Sequence, residues 1–259
     1  MSISKGYVDS EYLQLLEEQM LDFKRKSYAR MNIQPGDSAL DVGCGLGTDT
    51  IYLAQLVGAT GEVVGLDYDA SMVAQGNQRA LDAGLGDLVR HEQGNATSLP
   101  FPDARFDSSR SERLFQHLFC PERALFEMAR VTKPNGWVVV LDTDWGTLSI
   151  NSSLPDIERR IVQSSNDVCL NNGYSGRRLP ELFRWQDLKE ISIEVLPYQI
   201  TNYALGREVI VLDKRETDAL AAGVITQTQL NRWHDDLEQL EGNGSFFASF
   251  NLVLVAGRV

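Results

Sequence analysis

Long apolar runs, paired cysteines and an excess of basic charge are all missing from this sequence. No segment approaches the roughly 18 consecutive apolar residues that a membrane-spanning helix needs. The opening MSISKGYVDS has no apolar signal core, so export is not expected. Cys44, Cys120 and Cys169 lie far apart with no CxxC spacing. That pattern suits a reducing cytoplasm and speaks against a disulfide framework or a metal site. Only 24 Lys and Arg stand against 36 Asp and Glu, giving a net charge of −12 and a pI near 4.7. This argues against a nucleic-acid partner and against adhesion to an anionic membrane, since both need a basic surface. There is no internal repeat and no low-complexity tract.

What is present is the composition of a soluble globular chain, 43% hydrophobic and 23% charged over 259 residues. Leu13, Leu16, Met20 and Phe23 recur at helical spacing and predict an amphipathic helix over Glu11 to Arg30, which NIQPGD ends. From there strands and helices alternate. Ser38 to Val42, GEVVGLDYD, LVRHEQGNA, Phe106 to Ser111 and GWVVVLDTD read as strands. Thr48 to Leu56, Ser71 to Ala83 and Pro121 to Val131 read as helices. Such alternation predicts an α/β fold, a doubly wound parallel sheet with helices on both faces. Leu188 to Ile200 and Phe246 to Val255 are later strands, separated by a mostly helical stretch from Ala204 to Leu240. The connection GTLSINSSLPD, the helical run Ile157 to Leu170 and NNGYSGRRLPELF lie between the fifth strand and Leu188. We expect a helical lid segment at 1–35 and a main domain at 36–259, with insertions at about 146–180 and 201–244. These pieces are placed to cover the strand ends, where open α/β sheets bind ligands.

The stretch ALDVGCGLGTDT sets Gly43, Gly45 and Gly47 between a strand and a helix. Glycine there frees the backbone for close approach, and the helix start offers unpaired N–H groups. A dinucleotide site of the form G-x-G-x-x-G would want glycine at 48, where Thr48 stands. Asp41, two residues before the first glycine, suits a cationic amine better than a pyrophosphate. Asp67 ends the second strand, where an acid can accept both hydroxyls of a ribose. Tyr68 and Met72 follow at a spacing that would flank a planar base, although Met72 also reads as helix core. Asn95 ends the third strand and would accept from an exocyclic amine while Ala96 backbone reads the base edge; alone, it reads as a turn former.

Five stretches, LDVGCGLGTDT, VVGLDYDASM, GNATSLPFPDARFD, LFQHL and EMARVTKPNGWVVV, resemble in order and spacing the motifs of class I S-adenosylmethionine-dependent methyltransferases. The resemblance is to the branch that includes the ubiquinone and menaquinone C-methyltransferases and many natural-product enzymes, and it covers about residues 36–145. It implies a seven-stranded, mostly parallel sheet in which Phe246 to Val255 forms an antiparallel strand near one edge. It also implies S-adenosylmethionine as cofactor. Gly43, Gly45 and Gly47 would wrap its methionine part, Asp41 would support its ammonium and Asp67 would hold the ribose. Tyr68 and Met72 would flank adenine, with Asn95 and Ala96 at its edge. Ser111 and Glu112 would present backbone to the sulfonium arm. The family more often has aspartate where Asn95 stands, and SSRSERL is more polar than the usual fourth strand.

On the acceptor side, His117 in LFQHLF is a candidate base, with packing as its alternative. Asp142, Asp144 and Trp145 in LDTDWG end the fifth strand and would anchor and wall an acceptor, or cap the following turn. Tyr28 would close the N-terminal helix over the cofactor, and Arg177 would orient an anionic acceptor or lie on the surface with Arg178. No NPPY-type motif and no acidic cluster with a lysine is present. The reading is a cytoplasmic methyltransferase acting on O, N or C of a small molecule, expected to be a secondary metabolite, with homodimerisation left open. A non-catalytic S-adenosylmethionine sensor and a nicotinamide-dependent oxidoreductase are the alternatives.

Overall fold

The computed structural model describes residues 19–168 and 171–259. Its first element is α1 (Leu21–Arg30); the earlier part of the expected N-terminal helix lies outside the described residues. The order continues β1 (Ser38–Val42), α2 (Thr48–Val57), β2 (Glu62–Asp67), α3 (Ala70–Asp82), β3 (Val89–Gln93) and β4 (Phe106–Glu112). A single 3-10 turn, Phe115–His117, leads to α4 (Pro121–Val131) and β5 (Thr132–Ile150). Then come α5 (Pro155–Val168), α6 (Ser175–Trp185), β6 (Lys189–Ile200), α7 (Tyr203–Val209), α8 (Leu212–Ala221), α9 (Gln227–Gly242) and β7 (Ala248–Arg258). The last two residues of the expected helix at 157–170 lie outside the described residues.

All seven strands form one sheet in the order β3-β2-β1-β4-β5-β7-β6, with β7 antiparallel to both neighbours and β1 to β5 parallel. β1 is buried at all five positions, as a strand covered on both faces must be. Two apolar cores flank the sheet. One joins Ala39, Val139 and Leu141 to Leu53 and Val57 of α2, Ile157 and Ile161 of α5, and Trp233 of α9. The other joins Leu40, Val64 and Val140 to Leu125 and Met128 of α4 and Leu179 and Phe183 of α6.

Two local features differ from the sequence reading. β5 runs on to Ile150 instead of ending at Asp144. Its pairing with β7 breaks after Asp144 and resumes at Ser149 and Ile150, with Leu148 and Ile150 buried. The Thr147 hydroxyl bridges the break, donating to the Asp144 carbonyl and accepting from the Asn251 N–H. Residues 175–180, expected within a lid insertion, begin a helix that belongs to the sheet's second layer. A side chain at Gly176 would meet the Asp142 carbonyl and the Asp144 amide at 3.0 Å, so α6 lies directly against β5.

Candidate functional site

The C-terminal ends of β1, β2, β4 and β5 meet at one edge of the sheet. The glycine loop leaves β1 there, with Gly43, Gly45 and Gly47 at φ 77°, 51° and 72°, a region side chains rarely adopt. Gly43 and Cys44 amides donate to the Leu66 carbonyl at 2.7 and 3.1 Å. The Gly45 amide donates to Asp67 Oδ2 at 2.9 Å, while Asp67 Oδ1 accepts from the Asp69 amide at 2.9 Å. Burial raises the Asp67 carboxyl above its ordinary range, and these backbone bonds oppose the rise. Gly47 is the N-cap of α2 and offers no side chain to cap it. The first-turn N–H groups of this helix therefore have no side-chain cap.

Around that loop Tyr68 is 73% exposed and Met72 is buried. Asp69 caps α3 by accepting from the Ser71 and Met72 amides. Ala96 is buried in the second core. Asn95 is exposed, but its Oδ1 accepts both the Thr97 N–H and the Thr97 hydroxyl at 2.9 Å. The oxygen that the resemblance offers to a base amine is therefore turned into its own loop, as the turn-forming alternative has it.

Beneath the loop lies a buried charge cluster. Asp41 and Arg110 are register partners on adjacent strands, so their side chains share a face. Arg110 lies 3.2 Å from Asp41, 3.1 Å from Asp49 and 2.9 Å from Glu112, and is fully buried. From α1, Lys24 Nζ reaches Asp49 at 2.9 Å and Glu112 at 3.2 Å. The Tyr28 hydroxyl donates to Asp49, and the Tyr28 ring faces the Arg110 guanidinium at 5.1 Å. Burial works to raise the Asp49 carboxyl, but the Arg110 and Lys24 charges overcome it and hold Asp49 below the usual range. Asp41 goes the other way. Burial pushes it up to about 7, and its Oδ2 has no hydrogen-bond partner. Tyr28 thus closes α1 onto α2 through Asp49, and the Glu112 side chain faces the cluster. The Ser111 hydroxyl is buried without a partner.

The end of β5 builds a third group. Asp142 is fully buried and accepts from its neighbour Thr143 N–H at 2.8 Å and from Gln116 N–H at 3.3 Å. Burial pushes it up to about 7 against those bonds. It therefore supports the 3-10 turn from below and does not stand at an accessible surface. Gln116 accepts from Trp145 Nε1 at 2.6 Å. Asn172 donates to the Phe115 and Leu118 carbonyls, and Asn171 donates to the His117 carbonyl at 2.7 Å. The half-buried His117 thus sits on a turn clamped by β5 and by the segment before α6. Asp144 is buried and accepts from Arg177 Nε at 2.7 Å. Arg177 also lies over the Tyr174 ring, and Arg215 of α8 lies 4.6 Å above the Trp145 ring. Trp145 is therefore a buried wall shared by β5 and the late helical insertion.

Sequence reading passed over Lys24, Asp49, Arg110, Gln116 and Asn172. Arg110 and Asp41 carried a signal, since both are charges at strand positions of the same parity in adjacent buried strands. Lys24 and Asn172 carried none, because their partners lie far away in sequence.

Residues 40–140 match the family model of the methyltransferase domain. An uncharacterised 37.1 kDa protein in transposon Tn4556 of Streptomyces fradiae is 31% identical over 228 residues, 88% of this chain and 64% of that protein. A demethylmenaquinone methyltransferase of Geobacillus kaustophilus is 42% identical over 128 residues, 49% of this chain and 54% of that enzyme. The chain thus spans between about half and two thirds of these relatives' lengths. The crystal structure of geranyl diphosphate C-methyltransferase from Streptomyces coelicolor, solved with Mg2+, geranyl diphosphate and S-adenosyl-L-homocysteine, shares the fold. Its TM-score is 0.60 at 16% identity, over 95% of this chain and 82% of that one. With the strand order and the five motifs, these likenesses make residues 40–140 similar to the methyltransferase domain and to the demethylmenaquinone methyltransferases.

Proposed function

We propose that this chain transfers a methyl group from S-adenosylmethionine to a small-molecule acceptor. The observation that carries this reading is the Gly45–Asp67 bond at 2.9 Å, which fixes a glycine loop and an uncapped helix start beside a strand-end carboxylate. The residues present fit the cofactor. Asp67 keeps acceptor capacity for ribose hydroxyls beyond its two backbone bonds, and Asp41 carries a buried oxygen with no partner, suited to an ammonium. Gly43, Gly45 and Gly47 would hold the methionine part, Tyr68 and Met72 would flank the base, and Ala96 backbone would read its edge. Ser111 and Glu112 would present backbone near the sulfonium. When bound, S-adenosylmethionine supplies an activated methyl on a sulfonium.

The chain's own work is then to orient an acceptor and exclude water, and orientation alone removes several kcal/mol of barrier. His117 would take a proton from an acceptor hydroxyl or acidic carbon, and its turn is held by Asp142 and Asn171. Arg177, held by Asp144, faces an acceptor with anionic character, and Trp145 walls the space. The large helical segments after β5 favour a secondary metabolite, and the net charge of −12 favours neither nucleic acid nor an anionic membrane. No described helix is long and apolar enough to cross a membrane, and the cytoplasm is the compartment that suits the cysteine pattern.

Calorimetric titration with S-adenosylmethionine, S-adenosylhomocysteine and NAD in parallel tests the reading. Binding of the first two and not the third supports it. Binding of NAD alone overturns it. Formation of S-adenosylhomocysteine with a panel of hydroxylated and anionic small molecules then separates an enzyme from a sensor.

A further inference from the structure

His91, in the middle of β3, is 5% exposed, and its imidazole lies where three glycines have no side chain. A Cβ on Gly47 would stand 2.3 Å from its Nε2, one on Gly65 2.5 Å from its Cδ2, and one on Gly76 3.1 Å from its Cγ. These glycines come from the loop, from β2 and from α3, so three separate elements open one slot for one ring. Gly47 is therefore glycine for two reasons, its φ of 72° and the ring behind it.

The slot fixes the ring's chemistry as well as its place. Asn77 Nδ2 donates to the His91 carbonyl at 3.0 Å, and Asn77 Oδ1 accepts the His91 backbone N–H at 2.8 Å. That same Oδ1 faces Nδ1 at 3.2 Å, so Nδ1 carries the proton and Nε2 is left as an acceptor. The Thr50 hydroxyl lies 2.8 Å from Nε2 and 2.7 Å from the Gly47 carbonyl, so its one hydrogen is shared between them. On the same side, Arg79 of α3 donates to the Thr48 hydroxyl at 3.0 Å and to the Leu46 carbonyl at 3.4 Å. Burial first, and the Arg79 charge second, push His91 down to about 4, so the ring is neutral at physiological pH. The Leu46 and Gly47 carbonyls are thus held from behind by Arg79 and Thr50.

We infer that His91 is a positioning residue for the cofactor: seated among Gly47, Gly65 and Gly76, it anchors Thr50 and the Gly47 turn and so sets the glycine loop in its binding shape. This rests on the reading of the loop as the S-adenosylmethionine site. A residue that merely filled space would be replaceable by phenylalanine without loss of affinity.

The test uses the full chain with His91→Phe, His91→Gln, Thr50→Val and Thr50→Ser, measuring S-adenosylhomocysteine affinity by calorimetry. Melting temperature and amide hydrogen exchange of residues 43–50 in the ligand-free protein are measured alongside. His91→Phe and Thr50→Val are each expected to weaken affinity about tenfold, the size of one lost buried hydrogen bond, with faster exchange in the loop. The double variant should lose no more than either alone, because both break one chain of contacts. Thr50→Ser should restore affinity to within about a factor of two. Wild-type affinity and unchanged loop exchange in either His91→Phe or Thr50→Val would overturn the inference, whatever happens to the melting temperature. If the His91 variants do not fold, the contrast between Thr50→Val and Thr50→Ser decides alone. If the wild type binds no S-adenosylhomocysteine, the functional reading fails, and the exchange data still decide whether His91 holds the loop.

Discussion

Gly45 and Asp67, 22 residues apart, are joined by a backbone amide that donates to Oδ2 at 2.9 Å. One carboxylate thereby sets the glycine loop and still faces outward at the strand end. Asp67→Ala should remove both the loop anchor and the ribose acceptor, weakening S-adenosylhomocysteine binding by about 2–3 kcal/mol, as loss of charge-assisted hydrogen bonds does. Asp67→Asn keeps one oxygen and should fall between. Calorimetry checks the order, and an Asp67→Ala affinity within about twofold of wild type would refute the ribose role.

Asp49 accepts from Lys24 and Tyr28 and faces Arg110, all buried. Removing one member of such a cluster strands the rest without solvent. Asp49→Ala should cost about 3–5 kcal/mol of stability in urea unfolding. A loss below about 1 kcal/mol would mean that the cluster behaves like solvated surface pairs.

Asp142 is pushed up to about 7 by burial, above the ordinary 3.8 of an unfolded chain. The folded state therefore binds the extra proton between those two values. The stability this contributes is fully present below the lower value, and it is lost as pH rises toward the higher one. Asp142→Asn keeps an acceptor but cannot ionise. Its stability relative to wild type should climb between about pH 4 and 7 and level off above, which urea titrations across that range would read. A difference that stays flat with pH would show that Asp142 is not the group responsible.

His117 stands on a turn whose carbonyls are held by Asn171 and Asn172, so its removal should not disturb the cofactor loop. His117→Ala is expected to lower kcat by about 100-fold, within the range of general base catalysis, with S-adenosylhomocysteine affinity unchanged. Single-turnover rates with an identified acceptor check this. Unchanged turnover would return His117 to packing.

Much of the half proposed for the cofactor could be read directly from the chain. Gly43, Gly45 and Gly47 stand out because their φ values of 77°, 51° and 72° suit glycine, and Asp67 because an acid ends an apolar run. The acceptor half could not. Asp142 and Asp144 occupy like positions in LDTDWG, yet one faces the backbone of the 3-10 turn and the other faces Arg177. Alternation along β5 sends them to the same face, and only the neighbouring elements distinguish them. The same holds for Asn95, where one side chain suits two roles and local hydrogen bonds to Thr97 choose the turn.

By itself, the sequence determined the alternation of strands and helices, the sheet class and the glycine loop, because these rest on periodicity and on backbone freedom within a few residues. Tertiary structure alone decided that Lys24 and Tyr28 would meet Asp49, and that His91 would enter a slot made by Gly47, Gly65 and Gly76. Each of these contacts joins residues from different elements. Their energies depend on burial and on which charges share one desolvated space, and no local pattern along the chain encodes either.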